Sequence, residues 1–219
     1  MKIKTIFFDF DGVIADSLDV KTNAFYKMYE PYGKDIAEAV AKHHIENGGM
    51  SRFEKFRIYH KRHLNEKITE HQVEALAGRF SKLVVTEVIN SDFVAGVKEF
   101  LEANHHRYDS YIITGTPTEE MKIIAKGKGI DHYFKGIYGS PESKDHWVRQ
   151  ILEAGDIAAD SCVFIGDALS DYNAAIGNNI PFILREHNDN IPLFKGKDVI
   201  RIKDFIDFET VLQNLTPNF

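Results

Sequence analysis

The side chains with the greatest chemical potential in this sequence fall into four small groups. Asp9 and Asp11 stand one residue apart in Asp9-Phe10-Asp11-Gly12, directly after the apolar run Ile3-Lys4-Thr5-Ile6-Phe7-Phe8. Two carboxylates that close repel each other unless positive charge lies between them. Mg²⁺, which takes one or two protein carboxylates together with substrate oxygens and water, answers that need. A hydroxyl followed by glycine occurs at Thr114-Gly115-Thr116-Pro117. That composition suits a phosphate grip, because a glycine amide can approach an anion closely. Lys144 follows Ser140-Pro141-Glu142-Ser143 and can neutralise a phosphate or an attacking carboxylate as a point charge. Asp167 and Asp171, in Gly166-Asp167-Ala168-Leu169-Ser170-Asp171, add two more acids, spaced so that Asp167 reaches a metal and Asp171 stands behind it. Singly, these residues also build turns and cap helices. Their joint occurrence, in this order and at the ends of elements, points to metal-assisted chemistry on a phosphate.

The elements that would position them can be read from periodicity. Residues 3 to 9 are rich in β-branched and aromatic side chains and read as a buried strand. Four helices follow at about 17–30, 34–46, 51–63 and 69–88, punctuated by Gly33, Gly48-Gly49 and the segment 65–69, with Ser17 as the first N-cap. Beyond residue 90 the texture alternates. Helices are expected at 94–104, 118–128, 144–153, 170–177 and 205–215, and strands at 110–114, 136–138, 162–165, 181–184 and 198–202. Alternation of this kind implies a parallel sheet covered on both faces. The fold class is therefore α/β, a three-layer Rossmann-like core of residues 1–15 and 90–219 with an all-helical module, residues 16–89, inserted after the first strand. In such a sheet the ligand site lies outside the carboxyl ends of the strands, where all four groups fall.

Composition narrows the function classes. A chain of 219 residues with 43% hydrophobic and 27% charged content has the make-up of a soluble globular protein. Its net charge of −6 argues against a general nucleic-acid surface, so no nucleic-acid partner is expected. A single cysteine, Cys162, excludes an internal disulfide and suits a reducing compartment. With no apolar leader pattern and no stretch of the length a membrane span needs, the expected location is cytoplasmic. The histidine pairs His43-His44, His60/His63 and His105-His106 lack the spacing of a zinc site. Gly127-Lys128-Gly129 reads as a helix stop and not as a nucleotide loop. Composition says nothing of oligomeric state.

Asp9-Phe10-Asp11-Gly12-Val13, then Thr114, Lys144 and Gly166-Asp167-x-x-x-Asp171, resembles the four-motif signature of the haloacid dehalogenase superfamily. The likeness is to the subgroup with a helical cap after the first strand, which includes phosphoglycolate phosphatases and β-phosphoglucomutases. It extends over the whole chain. It implies Asp9 as the nucleophile that takes the phosphoryl group and Asp11 as general acid and base. It further implies Thr114, Gly115 and Lys144 as phosphate holders, and Mg²⁺ held among Asp9, Asp11, Asp167 and Asp171. Because Asp11 is present, the resemblance favours phosphoryl transfer over dehalogenation, and so a phosphatase acting on a small phosphorylated metabolite such as a sugar phosphate. Substrate choice would fall to the cap, where Arg52 and Lys55 lie three apart on one face of the third helix, just after Gly48-Gly49. Gly-x-Ser-Arg at 49–52 also resembles the cap loop of the β-phosphoglucomutases, so a phosphomutase is the alternative. A non-catalytic binding protein on the same scaffold is a third reading, disfavoured because no motif residue is missing.

Overall fold

The computed structural model describes residues 3–215. Residues 1–2 and 216–219 of the expected core lie outside it. The order of elements follows the sequence expectation closely. Strand β1 (Thr5–Phe8) leads into four helices, α1 (Leu18–Tyr29), α2 (Lys34–Glu46), α3 (Arg52–Tyr59) and α4 (Glu70–Asn90). After them come α5 (Val97–Asn104), β2 (Asp109–Pro117), α6 (Thr118–Gly127), β3 (Gly136–Ser140), α7 (Lys144–Gly155) and β4 (Cys162–Gly166). The chain ends in α8 (Leu169–Gly177), β5 (Phe182–Arg185), β6 (Ile200–Ile202) and α9 (Phe208–Gln213). The helix expected over 51–63 is α3 followed by a five-residue π turn, His60–Leu64, closed by Asn65 in the left-handed region at φ 55°.

All six strands run parallel in one sheet of order β3-β2-β1-β4-β5-β6. The period-2 alternation of side chains divides the strands cleanly between two apolar layers. Ile6 and Phe8 of β1, Ile112, Val163, Ile165 and Ile183 face one layer, which Phe100, Met121, Ile124 and Phe208 complete from α5, α6 and α9. Phe7, Ile113, Phe164 and Leu184 face the other, against Val148 and Ile151 of α7 and Ala174 of α8. Both faces are therefore covered, as a parallel sheet requires. The helices α1 to α4 add Phe25, Tyr29, Phe56, Phe80 and Val84 to the first layer, continuous with it through Val13, Ile14 and Val88. No helix among the described residues is long and apolar enough to cross a membrane.

The chain leaves β1 to build one half of the sheet through β2 and β3, then returns to β4 on the other side of β1 and builds the second half. The strand order reverses between β1 and β4, and ligands of open α/β sheets bind outside the carboxyl ends of the strands at such a point. Asp9 follows β1 directly and Asp167 follows β4 directly, so the fold brings together two acids that are far apart in sequence.

Candidate active site

The turn after β1 sets the geometry. The Asp9 amide donates to the Ile165 carbonyl at 2.9 Å, which extends the sheet one residue beyond the strand. The Phe10 amide donates to Asp9 Oδ1 at 2.7 Å and fixes that carboxylate. Gly12 then turns the chain at φ +75°, and a Cβ there would lie 2.3 Å from Asp167 Oδ2, so both conformation and space call for glycine.

Asp9 Oδ2 lies 2.9 Å from Lys144 Nζ, which also reaches Asp171 Oδ1. Asp171 is fully buried, and its Oδ2 accepts from the Ala168 amide at 3.0 Å. Oxygens of Asp9, Asp167 and Asp171 lie within 4.8 Å of one another, the one group of this kind found among the described residues. Asp167 is oriented by His187, whose Nε2 lies 3.1 Å from Oδ2, while Asn190 Nδ2 donates to the Asp167 carbonyl at 2.9 Å. Burial raises the pKa of all three acids. For Asp9 the Asp171 charge adds to burial and Lys144 opposes it. For Asp167 a hydrogen bond from His187 opposes burial, and for Asp171 Lys144 does. Lys144 in turn is held protonated, its own burial outweighed by Asp171 and Asp9. One ammonium among three buried carboxylates leaves an excess of negative charge on hard oxygen donors. This is the donor chemistry that divalent ions such as Mg²⁺ accept, and the cluster could hold such an ion.

Asp11 is not part of that triad. Its Oδ1 accepts from Ser17 Oγ at 2.6 Å and its Oδ2 is paired with Lys21 Nζ, which also donates to Thr116 Oγ1 at 2.7 Å. Burial works to raise the Asp11 pKa, but the Lys21 charge and hydrogen bond, with Ser17, hold it below the usual carboxylate value. The expected N-cap hydroxyl of Ser17 thus makes no cap hydrogen bond and serves Asp11 instead.

Thr114, Gly115 and Thr116 lie where the register between β2 and β3 shifts, between Ile113 and Pro117. This irregularity lets successive groups reach one edge of the sheet. Thr114 is buried, and its Oγ1 accepts from the Thr116 amide at 3.2 Å. Asp9, Asp11, Asp167, Thr114, Thr116 and Lys21 of α1 open together into one cleft, which the loop Gly48–Met50 and Arg52 and Lys55 of α3 also line.

Arg52 and Lys55 both line this cleft and both are buried, as their shared helix face implies. Arg52 forms a bidentate pair with Glu120 of α6, at 2.8 and 2.5 Å, and also donates to Ser81 of α4 at 2.9 Å. Lys55 Nζ lies 2.7 Å from His44 Nδ1. Arg57, by contrast, is an exposed residue paired with Glu70.

Lys21, His187, Asn190 and Glu120 carry no motif in the sequence, while Thr116 figures there only as part of the Thr114 segment and His44 only as a histidine without zinc spacing. Lys21 carried a usable signal, since it sits one helical turn after Ser17 on the face that meets Asp11. For the others the partner is distant in sequence, and no local pattern marks them.

A parallel sheet that gathers carboxylates, a lysine and hydroxyls at its switch point defines an enzyme that handles anions. The chain belongs to the haloacid dehalogenase-like hydrolase family, whose family model matches residues 6–184. It is 25% identical over 221 residues to a phosphoglycolate phosphatase of Haemophilus influenzae, covering 96% of this chain and 99% of that one. It is also 26% identical over 196 residues to a 5′-nucleotidase of Pseudomonas aeruginosa, covering 84% and 82%. Among solved structures, a predicted phosphoglycolate phosphatase of Haemophilus somnus shares the fold at TM-score 0.73 with 22% identity, over 96% of this chain and 98% of that one. CbbY of Rhodobacter sphaeroides, solved with xylulose-1,5-bisphosphate, does so at TM-score 0.72 with 18% identity, over 93% and 95%. With this family membership and relatives of these names, the protein is a phosphoric monoester hydrolase.

Proposed function

We propose that the protein is a Mg²⁺-dependent phosphatase of a small phosphorylated metabolite that works through an aspartyl phosphate. Residues 1–15 and 90–219 form its catalytic core and residues 16–89 its cap. The observation that carries this reading is Lys144 set between Asp9 and Asp171 at the strand-order reversal, with Asp167 alongside. Mg²⁺ held by Asp9, Asp167 and Asp171, with Asp11 close by, would supply positive charge against the phosphate dianion.

Asp9 attacks phosphorus with a carboxylate oxygen, a new O–P bond forms, and the bond to the alcohol oxygen breaks. Lys144, Thr114 and the Gly115 amide hold the phosphate oxygens and absorb charge as it develops. Asp11 hands a proton to the departing alcohol. The dianion arriving beside it opposes the pull of Lys21 and raises its proton affinity by like-charge repulsion. Water then attacks the aspartyl phosphate, Asp11 takes the proton from that water, and Asp9 is released as carboxylate with inorganic phosphate. General acid–base help of this kind contributes about 10²- to 10⁴-fold. The Gly48–Met50 loop and α3 line the cleft, and their closure on a bound substrate would limit water there. Phosphoglycolate is the first candidate substrate, on the names of relatives that align over nearly the whole chain. The phosphomutase alternative leans on Arg52 gripping a second phosphate, and the engagement of Arg52 by Glu120 favours the phosphatase instead.

Phosphate release from a panel of monoesters, with Mg²⁺ or EDTA, tests the reading. Release that needs Mg²⁺ and falls at least about 10³-fold in Asp9→Asn is expected for a lost nucleophile. Isomer formation that requires an added bisphosphate, with little phosphate released, would overturn it in favour of the mutase.

A further inference from the structure

Three cationic side chains of this protein are buried among the described residues: Lys144, Arg52 and Lys55. Two have carboxylate partners, Lys144 in Asp9 and Asp171 and Arg52 in Glu120. Lys55, 1% exposed, has no carboxylate oxygen within 4.0 Å among the described residues. Its ammonium meets only the Nδ1 of His44, at 2.7 Å, and the ring of Phe25, 5.7 Å from the centroid. A buried charge without a counter-charge is costly to a fold, and this one faces the same cleft as Asp9, Asp11 and Thr114. Burial, with the Lys21 and Arg52 charges, brings the Lys55 pKa down to about 7 against the more distant pull of Asp11 and Glu54. The His44 imidazole, kept neutral by burial and by Lys55 itself, can accept a hydrogen bond but cannot supply negative charge. Arg52 does not serve as a second anion site, because Glu120 and Ser81 occupy its guanidinium.

We propose that Lys55, oriented by His44, is the specificity-determining residue that binds a second anionic group, a carboxylate or a further phosphate, on the alcohol portion of the substrate. This rests on the phosphatase reading. The substrate supplies a counter-ion at contact distance, which adds to the weaker pull of Asp11 and Glu54 on the charged form of Lys55. The apolar wall of Leu18, Phe25 and Phe80 lines the same cleft. It strengthens a charge pair by excluding water and offers nothing to a neutral polyol.

The test is calorimetric binding to Asp9→Asn with Mg²⁺ present, using 2-phosphoglycolate, ethylene glycol bisphosphate and the neutral-ended 2-hydroxyethyl phosphate. At least one doubly anionic ligand is expected to bind about 10- to 100-fold tighter than the neutral-ended ester, the range for a charged hydrogen bond. Which of the two binds tighter decides between carboxylate and phosphate. Adding Lys55→Met or Lys55→Gln is expected to abolish the preference and to leave 2-hydroxyethyl phosphate within about twofold, with an unchanged circular dichroism spectrum. Equal affinity for all three ligands, or a preference that survives both Lys55 substitutions, overturns the proposal. In that case Asp9-dependent phosphate release would still leave the phosphatase standing. Conversely, a Lys55-dependent preference with no turnover of any ester would support this subsite and overturn the phosphatase.

Discussion

Asp9 and Asp11 are two positions apart, yet their surroundings pull their proton affinities in opposite directions. Burial beside Asp171 lifts Asp9, while Lys21 and Ser17 hold Asp11 down against its burial. Separated titrations of this kind are how neighbouring carboxylates come to play different roles. Lys55 offers a residue-scale prediction with a definite sign. Its pKa is about 7 in the fold against 10.5 as a free side chain, lowered by burial, Lys21 and Arg52 and partly restored by Asp11 and Glu54. Between those two values the unfolded chain holds a proton that the folded protein does not, so this group makes stability rise with pH from about 7 to 10.5. Below pH 7 its penalty is fully present. Urea unfolding should show Lys55→Met more stable than wild type at pH 6 by an amount on the order of 2 to 4 kcal/mol, with the gap closing toward pH 10. A gap that stays constant with pH would refute this.

The glycines of the α2–α3 connection show what the elements require of one another. Gly115 has an ordinary backbone, yet a Cβ there would lie 2.6 Å from the Gly49 carbonyl oxygen. Gly49 adopts φ +75°, and a Cβ on it would meet Ser170 Oγ at 2.1 Å. The helical segment therefore closes on β2 by backbone contact between Gly49 and Gly115 and on the Ser170 side chain of α8, and side chains at these two glycines would hold the segments apart. Gly115→Ala is expected to lower kcat/KM by about 10-fold or more, because a displacement near 1 Å at a reacting centre has effects on the order of 10²-fold. Its circular dichroism should be unchanged, since the sheet interior is untouched. Steady-state kinetics that match wild type would show that Gly49 and β2 need not meet during turnover.

Across the whole molecule, the buried Arg52–Glu120 pair with Ser81 ties α3 and α4 to α6, joining the helical segment to the sheet-bearing part. Removing one partner from a buried ion pair strands the other charge, at a cost of about 3 to 5 kcal/mol. Glu120→Ala should lose that much in urea unfolding. Glu70→Ala, which breaks the exposed pair with Arg57, should change stability by less than about 1 kcal/mol. Equal effects would mean that the Glu120 pair does not contribute to holding the two parts together.

Much of this architecture was legible in the chain itself. Strand residues such as Ile6, Phe7 and Phe8 are apolar because both sheet faces are covered, and the alternation of helix and strand announced the parallel sheet. The motif residues Asp9, Lys144 and Asp167 could be placed at element ends by spacing, since such positions depend on local backbone propensity, whereas Thr114, expected at a strand end, lies inside β2, which runs on to Pro117 past a register shift. The strand order could not be read, nor could the partner of each charge. Ser17 reads as a helix cap and Arg52 as a free cation until the fold brings Asp11 and Glu120 to them. The sequence by itself determined the elements, the sheet type and the chemistry of the strand ends, all consequences of short-range pattern. Only the tertiary structure decided that Asp11 pairs with Lys21, that Glu120 takes Arg52, and that Lys55 is buried with no carboxylate in contact among the described residues. Charge pairing inside a protein is set by which distant segments the hydrophobic layers press together, and residue spacing along the chain carries no record of that distance.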